Sequence, residues 1–437
     1  MTVVHENDTS LAPISYSEEA AWQEFVADKF TFFSRLFEFK VTLPEPGGVD
    51  LARRLIGELT SRHQIFRTGF QPVGDGVVRR LLPAYEHEII EAEEPDFSVH
   101  PDPAQTELTP ADLVTIWLTP GPDGEQWLWV DLNEMISDAG SSARLQTELQ
   151  AMLEPVAAGR PHELAAPAAA YSDYAREQRE QVVPDRLREY WAAQLGGLSE
   201  PDYIQVDGPD PGGDAAAERI VVFTDDISEC FHAVCARYRM SGFMGATALM
   251  NLVLAVRSGA RDITLSTIAS NRPRKWSDVQ GNFSNLLLLR TVLPPDPSFG
   301  DILTLSRQTV LGGLAHKDIS YLRLPEVLGR EISLPPVRVH YLKRDMHHYD
   351  VLDVKPSGAK WNEFATFATW PIELGFAEDA RRRVSIWASF DPRLYSHANV
   401  NQLLDQCADV LGVAGRDPAL TCQDVASRLG LRAPCGR

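Results

Sequence analysis

Asn133, Glu134, Asp138 and Ser141 crowd one short stretch, WVDLNEMISDAGSSARL (residues 129–145), between an apolar run ending at Leu132 and an Ala/Leu-rich segment. A strand that empties into a polar turn is a common place to hold a reactive group, because the strand is rigid and the turn is reachable. The stretch contains no His, Cys or Lys, so its chemistry has to come from carboxylates, an amide and hydroxyls. A glutamate such as Glu134 acts as a general base when burial raises its pKa toward neutrality, a role that contributes roughly 10²–10⁴-fold. Ionised, it holds an ammonium or amidinium group through a charge-assisted hydrogen bond. The plain alternative is a loop glutamate with no role. Ser141 has no histidine beside it in sequence, and serine at a helix start is a generic cap. A catalytic role for Ser141 is the alternative, beside Glu134 and Asn133.

The remaining reactive residues form no denser group. His347 and His348 have acidic residues near them (Asp345, Asp350, Asp353) but lie in a loop-like stretch without ligand spacing, so no metal site is expected. The cysteines (230, 235, 407, 422 and 435) are odd in number and match no zinc spacing; reduced thiols and a cytoplasmic setting fit best. A formal charge of −20 disfavours nucleic acid. The one compact basic stretch, NRPRKW (271–276), reads as a solvated loop, with contact to a phosphate-bearing partner as the alternative. No apolar run reaches the ~18 residues of a membrane span, and MTVVHENDTSLAP lacks the basic and apolar regions of a secretion signal.

The elements that would position these residues read as mixed α/β. A chain of 437 residues is long for one core. Helices are expected over 17–36, 49–62, 141–153 and 171 to about 194, with strands at 77–83, 113–119 and 126–132. An Ala/Pro-rich surface connection occupies 154–170, and the lobe boundary falls near residue 180, giving lobes 1–180 and 181–437. The second lobe then carries strands in ERIVVFTDD, ITLSTIA, NLLLLRTVL (285–293), RVHYL (338–342) and RRVSIWASF (382–390). Helices are expected in ISECFHAVCARYR, 244–258 and 400–411. NLLLLRTVL is apolar throughout, as a strand buried on both faces would be.

Several separated stretches resemble one family, the condensation domains of nonribosomal peptide synthetases, which are two-lobed relatives of chloramphenicol acetyltransferase. SRHQIFRTGF (61–70) is similar to its Arg-His-x-x-Leu-Arg-Thr-x-Phe segment, YSDYA (171–175) to Tyr-x-Asp-Tyr-Ala, and REYWAAQLGGL (188–198) to Tyr-Trp-x-x-x-Leu-x-Gly. GNFSNLLLLR (281–290), AHKDI (315–319) and YSHANVNQLLDQCADVL (395–411) resemble later segments in the same order, so the resemblance covers nearly all of the chain. The fold it implies is an α/β, two-lobed, chloramphenicol-acetyltransferase-like architecture with mixed sheets and a tunnel between the lobes. LGGLS (195–199) superficially resembles a carrier protein's phosphopantetheine site, but it belongs to the Tyr-Trp segment.

The family's His-His-x-x-x-Asp-Gly motif falls on Asn133 to Ala139, so Glu134 stands where the catalytic histidine would be. Asn133-x4-Asp138-x2-Ser141 differs by one exchange from the Asp-x4-Asp-x2-Ser of the heterocyclization branch, and VQGNFSNLLLL also looks like that branch. The branch's late Thr-Pro-Gln-Val-x-Leu-Asp reads here as Trp370-Pro371-Ile372-Glu373-Leu374-Gly375-Phe376, and the preceding Thr-Ser falls near His340 and Tyr341. Ring formation by the familiar route is therefore not expected.

By the same resemblance, Asp138 is structural and paired with an arginine, Arg272 or Arg290. His63 and His316 are structural, His340, Ser284 and Trp370 line the tunnel, and Arg272, Arg274 and Lys275 contact a carrier protein. No cofactor is bound; the substrate arrives on a phosphopantetheine arm. The chain shows no adenylation, carrier or thioesterase segment, so an acyl or peptidyl carrier protein is expected in trans, with other synthetase or tailoring proteins as further partners. The leading expectation is an acyltransferase-type condensation or cyclisation protein using Glu134. The rival is a non-catalytic docking platform that recruits tailoring enzymes. A coenzyme A-dependent acetyltransferase shares the ancestral fold but depends on the absent histidine.

Overall fold

The computed structural model describes residues 11–27, 38–44, 47–74, 76–96, 104–198, 203–208, 217–343 and 370–431. The chain forms two compact units, Met1–Val182 with Ser270–Asn285, and Val183–Ala269 with Leu286–Arg437. The expected division placed 270–285 in the second lobe; these residues group with the first unit.

Unit 1 carries strands β1 (Leu11–Ala12), β2 (Phe39–Leu43), β3 (Thr68–Val73), β4 (Gly76–Leu81), β5 (Ile90–Glu91), β6 (Val114–Pro120) and β7 (Gln126–Leu132). They form a three-stranded sheet of order β1-β4-β3 and a four-stranded sheet of order β2-β7-β6-β5. In the latter, β7 runs antiparallel to β2 and β6, while β5 is parallel to β6. Alternation along β7 sends Leu128, Val130 and Leu132 into the core with Leu145, Leu149 and Met152 of the helix Ala139–Ala157 and Leu55 and Leu59 of the helix Val49–Arg62. That packing holds the end of β7, and so the polar turn after it, on a rigid base.

Unit 2 carries β8 (Ala217–Val222), β9 (Asp262–Ser270) and β10 (Ser284–Val292), apart from Ser270, Ser284 and Asn285 at their ends, with β11 (Val337–Lys343), β12 (Ile372–Glu378) and β13 (Val384–Phe390), in one mixed sheet of order β10-β9-β11-β12-β13-β8. β11 is parallel to β9 and β12, whereas β12, β13 and β8 pair antiparallel. The helix Gly242–Ser258 is buried nearly all round from Gly245 to Val256, capped by Ser241 at its start and by left-handed Gly259 at its end. It packs on the sheet face formed by Val337, Val339, Ile372, Leu374, Phe376, Ile386 and Ala388. Among the described residues no single helix is long and apolar enough to cross a membrane.

The expected helix 171–194 is two helices, Tyr171–Glu180 and Asp185–Leu195. Pro184 separates them: it has no amide hydrogen to continue the first helix and disfavours helical geometry at the residue before it. The helix Phe299–Ala315 adds to the expected elements, and its one local signal is the reciprocal capping box that Ser298 and Asp301 form at its start. Of the expected helix 17–36, Tyr16–Ala27 is helical, and 28–36 lies outside the described residues.

Candidate active site

Where β7 ends, the backbone turns on Asn133. Its amide donates to Leu113 O (2.9 Å), its side-chain Oδ1 accepts from Met135 N (2.8 Å), and its carbonyl accepts from Ile136 N (3.1 Å). Asn133, Met135 and Ile136 are fully buried. The asparagine amide thus shapes the turn, as Asx side chains do, and Glu134 is left half-buried at its tip.

Asp138 ends the turn and begins the helix Ala139–Ala157. Its Oδ1 accepts from Ser141 N (2.7 Å), the expected pattern for a residue capping a helix. The cap is therefore Asp138, and Ser141, three residues on, is not. The same carboxylate accepts from Arg272 Nη2 (3.1 Å) and from Phe283 N (2.8 Å). Ser141 Oγ donates to Gly281 O (2.7 Å) while accepting from Gly281 N (3.0 Å) and Arg272 Nη2 (2.6 Å). With a donor and two acceptor interactions made in full burial, the Ser141 hydroxyl serves as a staple; the nucleophile alternative has no geometry to support it.

The stretch 270–285 supplies the other half of this network. The Arg272 guanidinium lies 3.9 Å from the Phe283 ring centroid and also donates to Val279 O. Burial lowers its pKa below the usual arginine value, opposed by the Asp138 charge. Asn282 Nδ2 donates to Glu134 O (2.8 Å), which fixes the backbone of the residue at the tip of the turn. Beneath it, the Tyr171 hydroxyl donates to Asn282 O and pairs with Ser15 Oγ (2.9 Å). A Cβ on Gly281 would fall 1.9 Å from the Tyr171 ring, so only glycine lets the segment before β10 pass. Glu18 and Arg79, both buried, form an ion pair, with the guanidinium 4.7 Å from the Tyr171 centroid.

Other expected residues fall elsewhere. Arg290 is not the partner of Asp138; it forms a two-pronged pair with Asp262 (2.8 and 2.7 Å). Ser284 opens β10, its amide donating to Asn282 Oδ1 and its carbonyl accepting from Ser17 Oγ. His63 Nε2 donates to Glu148 Oε2 (2.8 Å), which Arg62 also meets (3.3 Å). Burial pushes the Glu148 carboxyl up, and His63 and Arg62 together bring it below its usual value. His316 stacks on Tyr190 at 3.8 Å and bonds Gly312 O through Nδ1. Lys275 is exposed and paired with Glu177; Arg274 is exposed. Trp370 is buried, donating to Pro335 O (2.8 Å) under the Arg338 guanidinium (4.0 Å). His347 and His348 lie outside the described residues. Among the described residues no group of three or more His, Cys, Asp or Glu is placed to hold a metal. The thiols of Cys235, Cys407 and Cys422 are pushed up to about 12 by burial, which makes them poor nucleophiles.

Sequence reasoning misses two acidic groupings. Asp131, on β7, is buried with neither carboxylate oxygen hydrogen-bonded among the described residues; burial and then the neighbouring Glu38 charge hold its pKa well above the usual value. Glu373, on β12, meets His340 Nε2 at 2.6 Å and lies 3.7 Å from Arg338 Nη1. Strand alternation could have paired positions 340 and 373 only with the register of β11 on β12 in hand.

Comparison with known proteins matches these features to one family. The condensation-domain profile covers residues 34–427. Phosphinothricin tripeptide synthetase PhsC of Streptomyces viridochromogenes is 23% identical over 439 residues, covering 94% of this chain and 40% of that protein. Tyrocidine synthase 2 of Brevibacillus parabrevis is 28% identical over 309 residues, covering 68% of this chain and 8% of that protein. The chain thus spans less than half the length of these relatives. The X-domain from teicoplanin biosynthesis superposes with a TM-score of 0.77 at 17% identity, covering 97% of this chain and 98% of that one. The condensation domain of the monacolin K polyketide synthase MokA does so at 0.73, with 17% identity and 94% and 99% coverage. A profile that takes in the Asn133–Ser141 loop, its 270–285 brace and the four- and six-stranded sheets leaves one assignment: this chain belongs to the condensation-domain family.

Proposed function

We propose that the chain acts in nonribosomal-peptide-type biosynthesis as a condensation-type acyltransferase on an intermediate carried as a phosphopantetheine thioester by a separate carrier protein. The observation that carries this reading is the bracing of position 134. Asn133 shapes the turn, Asp138, Arg272 and Ser141 lock its far end, and Asn282 holds the Glu134 carbonyl. A scaffold of this kind matters when a side chain must meet a reacting group in one geometry, since orientation alone supplies much of a catalytic barrier reduction. Glu134 is the substrate-facing group in this reading, anchoring the acceptor ammonium or serving as a base. Arg274 is a contact for the acidic carrier protein.

A second reading has its own support. Asn133, Asp138 and Ser141 are all committed to structure, and the fold resembles the teicoplanin X-domain, which forms a complex with OxyB. In that reading the chain is a platform for another protein and makes no bond. Carrier proteins purified from a strain lacking this gene discriminate the two once their phosphopantetheine loads are read by mass spectrometry. Acyl transfer predicts one carrier stalled with its acyl or aminoacyl load, and unchanged loads beside a missing late modification would favour the platform.

A further inference from the structure

The six-stranded sheet of unit 2 has one face in the core; alternation puts Arg338 and His340 of β11, Glu373 and Gly375 of β12, and Trp387 of β13 on the other. Pairing sets His340 opposite Gly375 and Gly375 opposite Trp387, so three strands present one continuous row. Gly375 has no side chain, and the Trp387 indole fills the space above it: a Cβ there would fall 2.1 Å from Nε1. That Nε1 is buried with no hydrogen-bond partner among the described residues. Two residues earlier on β12, Glu373 Oε1 lies 2.6 Å from His340 Nε2, with side chains 19% and 21% exposed. The Arg338 guanidinium, stacked on Trp370, stands 3.7 Å from the same oxygen.

From this geometry we infer that His340 and Glu373 are a proton-handling dyad for the acyl transfer, with Trp387 Nε1 as a donor to the acyl oxygen; the inference rests on the acyltransferase reading above. The Arg338 guanidinium stands beside the Glu373 carboxylate that meets His340 Nε2. A carboxylate accepts, so His340 Nε2 carries the hydrogen, and in the neutral imidazole Nδ1 carries the lone pair. Nδ1 has no hydrogen-bond partner among the described residues. This is the arrangement of base and orienting carboxylate that activates a nucleophile. The acceptor amine attacks the thioester carbonyl carbon, the C–N bond forms, and the amine proton passes to His340 Nδ1. The C–S bond then breaks, and the thiolate takes that proton to leave as the phosphopantetheine thiol. An indole N–H without a partner among the described residues, one strand over from Gly375 as the base is on the other side, is a donor that gains its hydrogen bond only when an oxygen arrives, as oxyanion donors do.

Purified chain added back to cleared lysate of the gene-deletion strain, with product formation followed by mass spectrometry, tests the dyad. His340→Gln keeps a polar side chain but takes no proton, and should slow the initial rate at least about 100-fold while abolishing the rising limb of the pH–rate profile. Trp387→Phe keeps the ring over Gly375 and removes only the N–H; a loss of about 10–1,000-fold is expected. Glu373→Gln should lower the rate by more than Glu373→Asp, which retains the charge. Thermal melts of each variant at the wild-type temperature establish that the fold is intact. Wild-type rates and an unchanged pH profile in His340→Gln would overturn the dyad while leaving the acyltransferase reading standing. Wild-type chain that restores no product would remove that reading, and the dyad with it.

Discussion

Asp138 carries the greatest structural demand of any side chain in the loop. It caps a helix, neutralises Arg272 and accepts from Phe283 N, all in near-complete burial. Asp138→Ala would strip a cap worth about 0.5–2 kcal/mol and leave a buried guanidinium without its carboxylate, a loss of about 3–5 kcal/mol. Chemical denaturation should register a destabilisation in that range. Asp138→Ala combined with Arg272→Met should cost less than the two singles summed, because no charge is then stranded. Asp131 makes the opposite demand. Its pKa is raised in the folded state, so the unfolded chain ionises first, from its usual 3.8 upward, and folding stability falls as pH rises from there. Asp131→Asn removes the penalty. Melting temperatures of variant and wild type should coincide near pH 4 and separate toward neutrality, with the variant higher. A constant difference across that range would show that Asp131 is not titrating.

The strands and helices show why part of this arrangement is readable in the sequence and part is not. β7 and the helix after it announce themselves, one by an apolar run into a polar turn and the other by Leu145, Leu149 and Met152 at helical spacing. The pairing of Asp138 with an arginine comes from family resemblance, and only the fold chooses Arg272 over Arg290. Both arginines lie near the motif GNFSN, and nothing local reveals that Arg290 faces Asp262. Residue type alone marks Ser141 as a cap, yet the better-placed acceptor is the acid three positions before it. Pro184 is legible as a helix boundary, but the apolar pattern running across it masks the break. Cross-strand partners such as His340 and Glu373 depend on register, which a single sequence does not specify. At this scale the sharpest check is Gly281→Ala. A methyl group 1.9 Å from the Tyr171 ring forces that buried ring or the segment carrying Gly281 to move, at a cost of about 1–3 kcal/mol, measurable by thermal unfolding. A wild-type melt would mean that the 270–285 brace yields easily.

For the whole molecule, each unit carries its own polar group on a rigid element. Unit 1 holds Glu134 on a braced turn, and unit 2 holds the His340–Glu373 pair on its sheet. Family membership sets the architecture, and the loss of both motif histidines sets the question of whether that architecture still makes bonds. Complementing the deletion strain with Glu134→Ala, at wild-type protein level and melting temperature, asks this most directly when the metabolites are profiled by mass spectrometry. The acyltransferase account predicts that the end product stays absent and an unprocessed precursor accumulates, its mass difference from the product naming the group transferred. Full restoration of the product would contradict it and leave the chain as a platform for other proteins.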